Sequence, residues 1–370
     1  MNLPVSHLTP GMRLSRPVYG QKGQLLLSRG IELNNSFIKG LKEHNVLAAT
    51  VESKPHGGRC PDDQEAEIVL EESVRAQAMS SLKNWAETSG KQDGIASIAE
   101  SVSTIVDEIL YGKIPSGGLT EISVADVYTF AHSIDVCALS VYMGIRYGYS
   151  KDDLLVLGTG SILHDLGKTK VSPEILNKPG PLTSEEFAEV KNHTIWGYQM
   201  LKEYAPDQVS DSALDIVLNH HERYDGSGYP RGLKREEISD MAGICALADY
   251  YNAMTTERVY RKAFPPDRIY EMIISYSDLY IKNDLVGLFS RCIYPYPIET
   301  LVLLSTEKVG CVTANDSNLP FRPVVTILGT EESIDLSGES SVAIERALTQ
   351  DEAQVTFLRF LNDYSLHHSS

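Results

Sequence analysis

Apolar side chains recur through Val124, Val127, Tyr128, Ala131, Ile134, Ala138, Val141, Tyr142 and Ile145. The spacing is i, i+3, i+4 and i+7, that of one buried helix face. Helical character continues to about residue 300. Thr183-Ser-Glu-Glu186 matches the capping box and predicts a helix running towards Met200. Glu222 to Pro230 is turn chemistry, with Asp-Gly, Ser-Gly and a final Pro. Residues 1–52 differ, holding short alternating apolar runs broken by turns. Val18 to Leu27 reads as a hairpin around Gly20 and Gly23, and Ile38 to Leu47 as a short helix. A polar stretch, Ser53 to Asp63, reads as a linker. Residues 64–114 are helix-like, with Ile68, Leu70, Val74, Met79 and Leu82 at mixed helical spacing. Past residue 300 the period shortens. Leu301–Leu304, Val309–Val312 and Val324–Leu328 are strand candidates, and a helical stretch near Glu352–Tyr364 is expected to close the chain.

This pattern predicts four zones and no internal repeat. They are a small α/β module (1–52), a linker and helical segment (53–122), a helical domain (123–300) and a β-containing extension (301–370). The chain's 370 residues suffice for two or three domains. No apolar run reaches the ~18 residues of a membrane span. Met1 to His7 lacks a basic segment followed by an apolar one, so no signal peptide is expected and the cytoplasm is the expected location. Cys60, Cys137, Cys245, Cys292 and Cys311 are scattered, with no C-x-x-C spacing. They fit free thiols and argue against a Cys-type zinc site. The net charge of −17 argues against a scaffold that grips duplex DNA or RNA. An acidic chain still takes an anionic ligand where metal ions supply local positive charge.

The candidate chemistry is concentrated in the helical domain. Five of the ten histidines are His132, His164, His193, His220 and His221. Two open dense polar motifs, His164-Asp-Leu-Gly-Lys168 and His220-His-Glu-Arg-Tyr-Asp-Gly-Ser-Gly-Tyr-Pro230. Adjacent His and Asp offer an imidazole and a carboxylate to neighbouring metals, and the two oxygens of Asp165 can bridge two cations. Asp249 lies in Ala246-Leu-Ala-Asp-Tyr250, on a helix that otherwise reads as buried, where a carboxylate is costly unless paired or metal-bound. Taken singly, His132 also fits a satisfied core histidine, and His193 a surface residue. Five His and two Asp suit iron, manganese or zinc better than the all-oxygen shells of calcium or magnesium. Two cations roughly 3.5–4 Å apart can hold a hydroxide and neutralise phosphoryl oxygens, which is the chemistry of phosphodiester hydrolysis.

Several motifs in this order resemble the HD-GYP family of HD-domain metal-dependent phosphohydrolases. They are His132, Ile162-Leu-His-Asp-Leu-Gly-Lys168, Ile175-Leu-Asn-Lys-Pro-Gly-Pro-Leu182, Glu185-Glu186, His193 with Gly197, His220 to Pro230, Ala248-Asp249, and Ala253-Met-Thr-Thr-Glu-Arg-Val-Tyr-Arg261. The resemblance covers a little under half the chain. It implies a mainly α protein whose catalytic domain is an HD-type helical bundle, flanked by the small α/β module and the β-containing extension.

It also implies roles. His132, His164, Asp165 and Asp249 hold one metal, and Asp165 as bridge holds the second with His193, His220 and His221. The binuclear centre is of iron or manganese. Lys168 faces the scissile phosphate, where a cation stabilises negative charge growing in the transition state. Gly228, Tyr229 and Pro230 shape the pocket rim, Tyr229 either stacking on a base or simply packing. Arg258 and Arg261, three apart, contact substrate phosphate or form a solvated face. Tyr128 stands where some relatives carry an extra carboxylate, so two ions are expected and not three. The implied activity is hydrolysis of a 3′,5′-cyclic dinucleotide, cyclic di-GMP first, by a metal-bridging hydroxide, giving a linear dinucleotide and then, on further cleavage, mononucleotides. A mixed cyclic GMP-AMP phosphodiesterase, another HD-domain phosphohydrolase and a non-catalytic binding module are the alternatives. A homodimer, and a signalling partner on the Gly-Tyr-Pro loop, are left open.

Overall fold

A computed structural model describes residues 2–5, 8–14, 18–19, 25–27, 31–43, 46, 48–51, 70–88, 94–111, 128–256, 264–316, 318–330, 332–349, 352–353 and 355–356. The chain divides into two units. One comprises 1–61, 327–332 and 348–370, the other 62–326 and 333–347.

In the first unit β1 (Asn2–Pro4) pairs antiparallel with β4 (Ala48–Thr50), and β2 (Val18–Tyr19) with β3 (Leu25–Leu27). The expected hairpin forms, and its turn lies outside the described residues. Helix α1 (Asn35–Glu43) buries Ile38 and Leu41 among Leu14, Leu33 and Val51.

The second unit begins with α2 (Glu72–Glu87) and α3 (Gly94–Tyr111). Then come α4 (Tyr128–Tyr147), α5 (Lys151–Leu163), a 3-10 turn (Leu166–Lys170) and α6 (Pro173–Leu176). Helices α7 (Ser184–Lys191), α8 (His193–Tyr204), α9 (Asp211–Asn219) and α10 (Asp240–Thr255) follow. Helices α11 (Pro266–Ser275) and α12 (Asn283–Cys292) complete the bundle. Residues 132–144 of α4 are all buried, so the predicted apolar stripe belongs to the central helix, enclosed on every side. One apolar cluster runs from Leu70 to Ile293. It includes Leu82 and Trp85 of α2 and Ile98 and Ile105 of α3, so the segment before the helical domain packs into the same core as α4 and α5.

The capping box of Thr183 and Glu186 forms as read, but the helix breaks at Asn192, and His193 starts a new one. Strands β5 (Leu301–Leu304), β6 (Val309–Ala314), β7 (Val324–Ile327), β8 (Ser333–Asp335) and β9 (Ile344–Ala347) form one sheet in the order β8-β7-β6-β5-β9. Of the helical stretch expected near Glu352–Tyr364, residues 352–353 and 355–356 are described, and they are helical. The linker Ser53 to Asp63, Val124, Val127, Arg258, Arg261 and Cys60 lie outside the described residues. The other four cysteines are free. No helix among the described residues is long and apolar enough to cross a membrane.

Candidate metal centre

The structure brings together all seven side chains expected as ligands. His132 sits in the second turn of α4 and Asp249 in α10. His164 caps the C-terminus of α5, Asp165 follows it, and His193 opens α8. His220 caps the C-terminus of α9 and His221 comes next. Ligand atoms of His132, His164 and Asp249 lie within 4.8 Å of one another, and so do those of Asp165, His193, His220 and His221. Asp165 faces both groups. Its Oδ1 is 3.4 Å from His193 Nε2; its Oδ2 is 3.4 Å from His164 Nε2 and 3.9 Å from His132 Nε2.

Helix ends fix the imidazoles. The last carbonyls of a helix have no partner within it. His164 Nδ1 takes the Ser161 carbonyl at 2.7 Å, His193 Nδ1 that of Val190 at 2.7 Å, and His220 Nδ1 that of Val217 at 3.0 Å. A carbonyl only accepts, so each Nδ1 carries the proton and each Nε2 turns a lone pair inward. His193 Nε2 and His220 Nε2 thus stand 3.4 Å apart with no proton between them. Two lone pairs at that separation repel unless a cation lies beside both. His164 Nε2 and Asp165 Oδ1 are buried with no hydrogen-bond partner among the described residues. Buried polar atoms are costly when unpaired, and here the unpaired ones are nitrogen and oxygen donors suited to a transition metal. The donor set therefore fits metal ions.

The electrostatics agree. Burial pushes His193 down to about 4 and His221 down to about 3, and with its histidine neighbours holds His220 well below its usual value. These three imidazoles are neutral at pH 7 and free to ligate. Burial also disfavours charge on His164, but Asp165 and Asp249 beside it outweigh that and raise it. Burial likewise opposes the Asp165 carboxylate, yet His164, Lys168 and His193 hold it well below the ordinary range. Asp249 behaves the same way, held down chiefly by its hydrogen bond from His132. That bond spans 2.9 Å from His132 Nε2, while His132 Nδ1 donates to Asn252 Oδ1 at 2.7 Å.

Around this cluster, the Lys168 ammonium donates to Asp165 Oδ2 and remains partly exposed. The Tyr229 ring lies 4.8 Å from that of His221. Gly228 is required by close approach, since a Cβ there would sit 2.3 Å from Arg223 N. Glu222, whose role the sequence did not reveal, is buried and accepts from the amides of Arg231 (2.6 Å), Gly232 (3.1 Å) and Leu233 (2.9 Å). It clamps the chain just after Pro230. Two further residues were missed. Asn252 orients His132, and Lys191 lies 5.5 Å from the centre of the Tyr229 ring. Asn252 lies one helical turn after Asp249, a spacing that could have flagged it; Lys191 had no such signal.

Residues 120–284 match the HD domain family, and residues 301–356 match the KOW domain associated with HD domain. The chain is 32% identical over 276 residues to the cyclic di-GMP phosphodiesterase PA4108 of Pseudomonas aeruginosa, covering 72% of this chain and 66% of that protein. It is 37% identical over 166 residues to a cyclic di-GMP phosphodiesterase of Thermotoga maritima, 45% of each chain. It is 37% identical over 141 residues to 3′3′-cGAMP-specific phosphodiesterase 3 of Vibrio cholerae, covering 38% of this chain and 30% of that protein. The chain thus spans under two thirds of the length of these relatives.

Proposed function

The chain carries the HD domain, and we propose that it is a metal-dependent phosphodiesterase of the HD-GYP type that opens a 3′,5′-cyclic dinucleotide, with cyclic di-GMP preferred. The observation that carries this reading is the placement of Asp165, with one oxygen towards His193 and the other towards His164 and His132. His132, His164 and Asp249 would hold one ion, and His193, His220 and His221 the other, with Asp165 shared. Iron or manganese suits this mixed nitrogen and oxygen set. When bound, such ions supply a reactive water at neutral pH and neutralise phosphoryl oxygens.

The chain's own groups do the rest. Asp165 keeps its charge through Lys168 and the histidines. The Lys168 ammonium, buried on one side and open on the other, is placed to stabilise negative charge that grows on the phosphoryl group. Tyr229, with its ring 4.8 Å from that of His221 and 5.5 Å from the Lys191 ammonium, stands at the rim as an aromatic contact for a base. Gly228 and Pro230 shape that rim, and Arg258 and Arg261 bind a substrate phosphate. The likeness to cyclic di-GMP phosphodiesterases supports the substrate class, and expulsion of the 3′-oxygen gives a linear dinucleotide.

The test is a panel of cyclic di-GMP, 3′3′-cGAMP and cyclic di-AMP, incubated with iron- or manganese-loaded protein and resolved by chromatography. Multiple turnover of cyclic di-GMP to its linear form is expected. Tight binding without turnover would reject the enzyme in favour of a binding module.

A further inference from the structure

The ion pair of Arg75 and Asp135 lies on the far side of His132 from the proposed metals. Arg75 belongs to α2, outside the matched HD region, and Asp135 to α4. Both are buried, 7% and 8% exposed, and the Arg75 Nη2 donates to Asp135 Oδ1. Asp135 also accepts a side-chain hydrogen bond from Asn252 of α10. Asn252 has one donor and one acceptor end. With its amide nitrogen on Asp135, its oxygen is left for His132 Nδ1, where it sits at 2.7 Å. The His132 Nε2 is thereby presented to Asp249 and Asp165. One continuous line therefore runs from α2 through α4 and α10 to the His132 ring.

An apolar pair of similar volume would hold α2 on α4 at least as well as a buried ion pair, because desolvating two charges is costly. Stability alone gives no reason for charge here. Orientation does: a carboxylate accepts only, so it forces one end of Asn252 towards itself and the other towards His132. Without it, the Asn252 amide can flip and set an N–H against the His132 N–H.

We propose that Arg75 is a positioning residue of the metal site, fixing the His132 ring through Asp135 and Asn252. The inference rests on the reading of His132 as a metal ligand. Groups that orient a metal-bound histidine typically change metal affinity by 10–100-fold when removed.

The test titrates Mn²⁺ alone into metal-free full-length parent, H132A, R75K and the double variant R75M/D135L, with melting curves for each. The double variant removes both charges at once, so no lone buried charge remains. It should bind one Mn²⁺ as the parent does and the other about 10–100-fold more weakly. R75K should match the parent, since Arg75 contacts Asp135 through one nitrogen, and its Nε has no partner among the described residues. H132A should lose one ion outright; retention of both would sink the ligand reading itself. A folded double variant that binds both ions with parental affinity, while H132A loses one, overturns the positioning role. Should the double variant not fold, nitrogen NMR of the ¹⁵N-histidine-labelled, metal-free parent decides. His132 Nδ1 must then carry a proton, facing Asn252 Oδ1, and a bare Nδ1 overturns the proposal.

Discussion

Gly167 lies against His193 so closely that a Cβ on it would sit 1.9 Å from the His193 carbonyl oxygen and 2.6 Å from Gly197 N. These are backbone atoms, which no side-chain rotation can move away. The contact seats the 3-10 turn that carries Asp165 and Lys168 on the start of α8. Gly167→Ala should therefore lower stability by about 1–3 kcal/mol, as overpacking does, and weaken metal binding. Urea titration with metal analysis checks this, and a variant with parental midpoint and metal content would contradict it.

Asp165→Ala should remove the one carboxylate that faces both ligand groups. Metal content should fall well below the parent's and turnover by more than about 10²-fold, beyond the usual range for an orienting group alone. Activity within a few-fold of the parent at full metal content would reject the shared role.

Lys168→Ala separates charge stabilisation from metal holding. Metals should stay, while kcat should drop by about 10²-fold or more. Loss of metal along with rate would make Lys168 a structural partner of Asp165.

Arg258 and Arg261 carry a subtler expectation. Replacing both with Ala should raise KM with little change in kcat, the signature of lost ground-state binding. An unchanged KM would return them to a solvated face.

The metal-free protein should lose stability as pH falls from about 6.5. His193, pushed down to about 4, and His221, down to about 3, stay unprotonated in the folded state while the unfolded chain takes up protons. His220 acts in the same sense and His164 in the opposite one, so the net uptake on unfolding is positive in that window. Urea midpoints at pH 7 and pH 5 test the sign, and a higher midpoint at pH 5 would contradict it.

That seven His and Asp side chains would cluster was legible from the order of their motifs, and the capping box and the strands β5, β6 and β7 followed from short-range pattern. Strands β8 and β9 were not, since neither shows a half-buried alternation. The mixed spacing of residues 64–114 hid that Trp85 and Ile105 are fully buried in the same core as α4. Arg75 and Asp135 are 60 residues apart and meet only through the packing of α2 on α4. Glu222 stood in plain sight within its motif, but three backbone amides from a folded-back loop are invisible in sequence.

The positions of the ions test the shared centre most directly. Anomalous diffraction at the manganese edge from crystals of loaded protein should give two strong peaks per chain. One should lie among His132, His164 and Asp249, the other among His193, His220 and His221, with Asp165 touching both. A single peak, an Asp165 that reaches neither ion, or a third full peak near Tyr128 would contradict the shared two-ion centre.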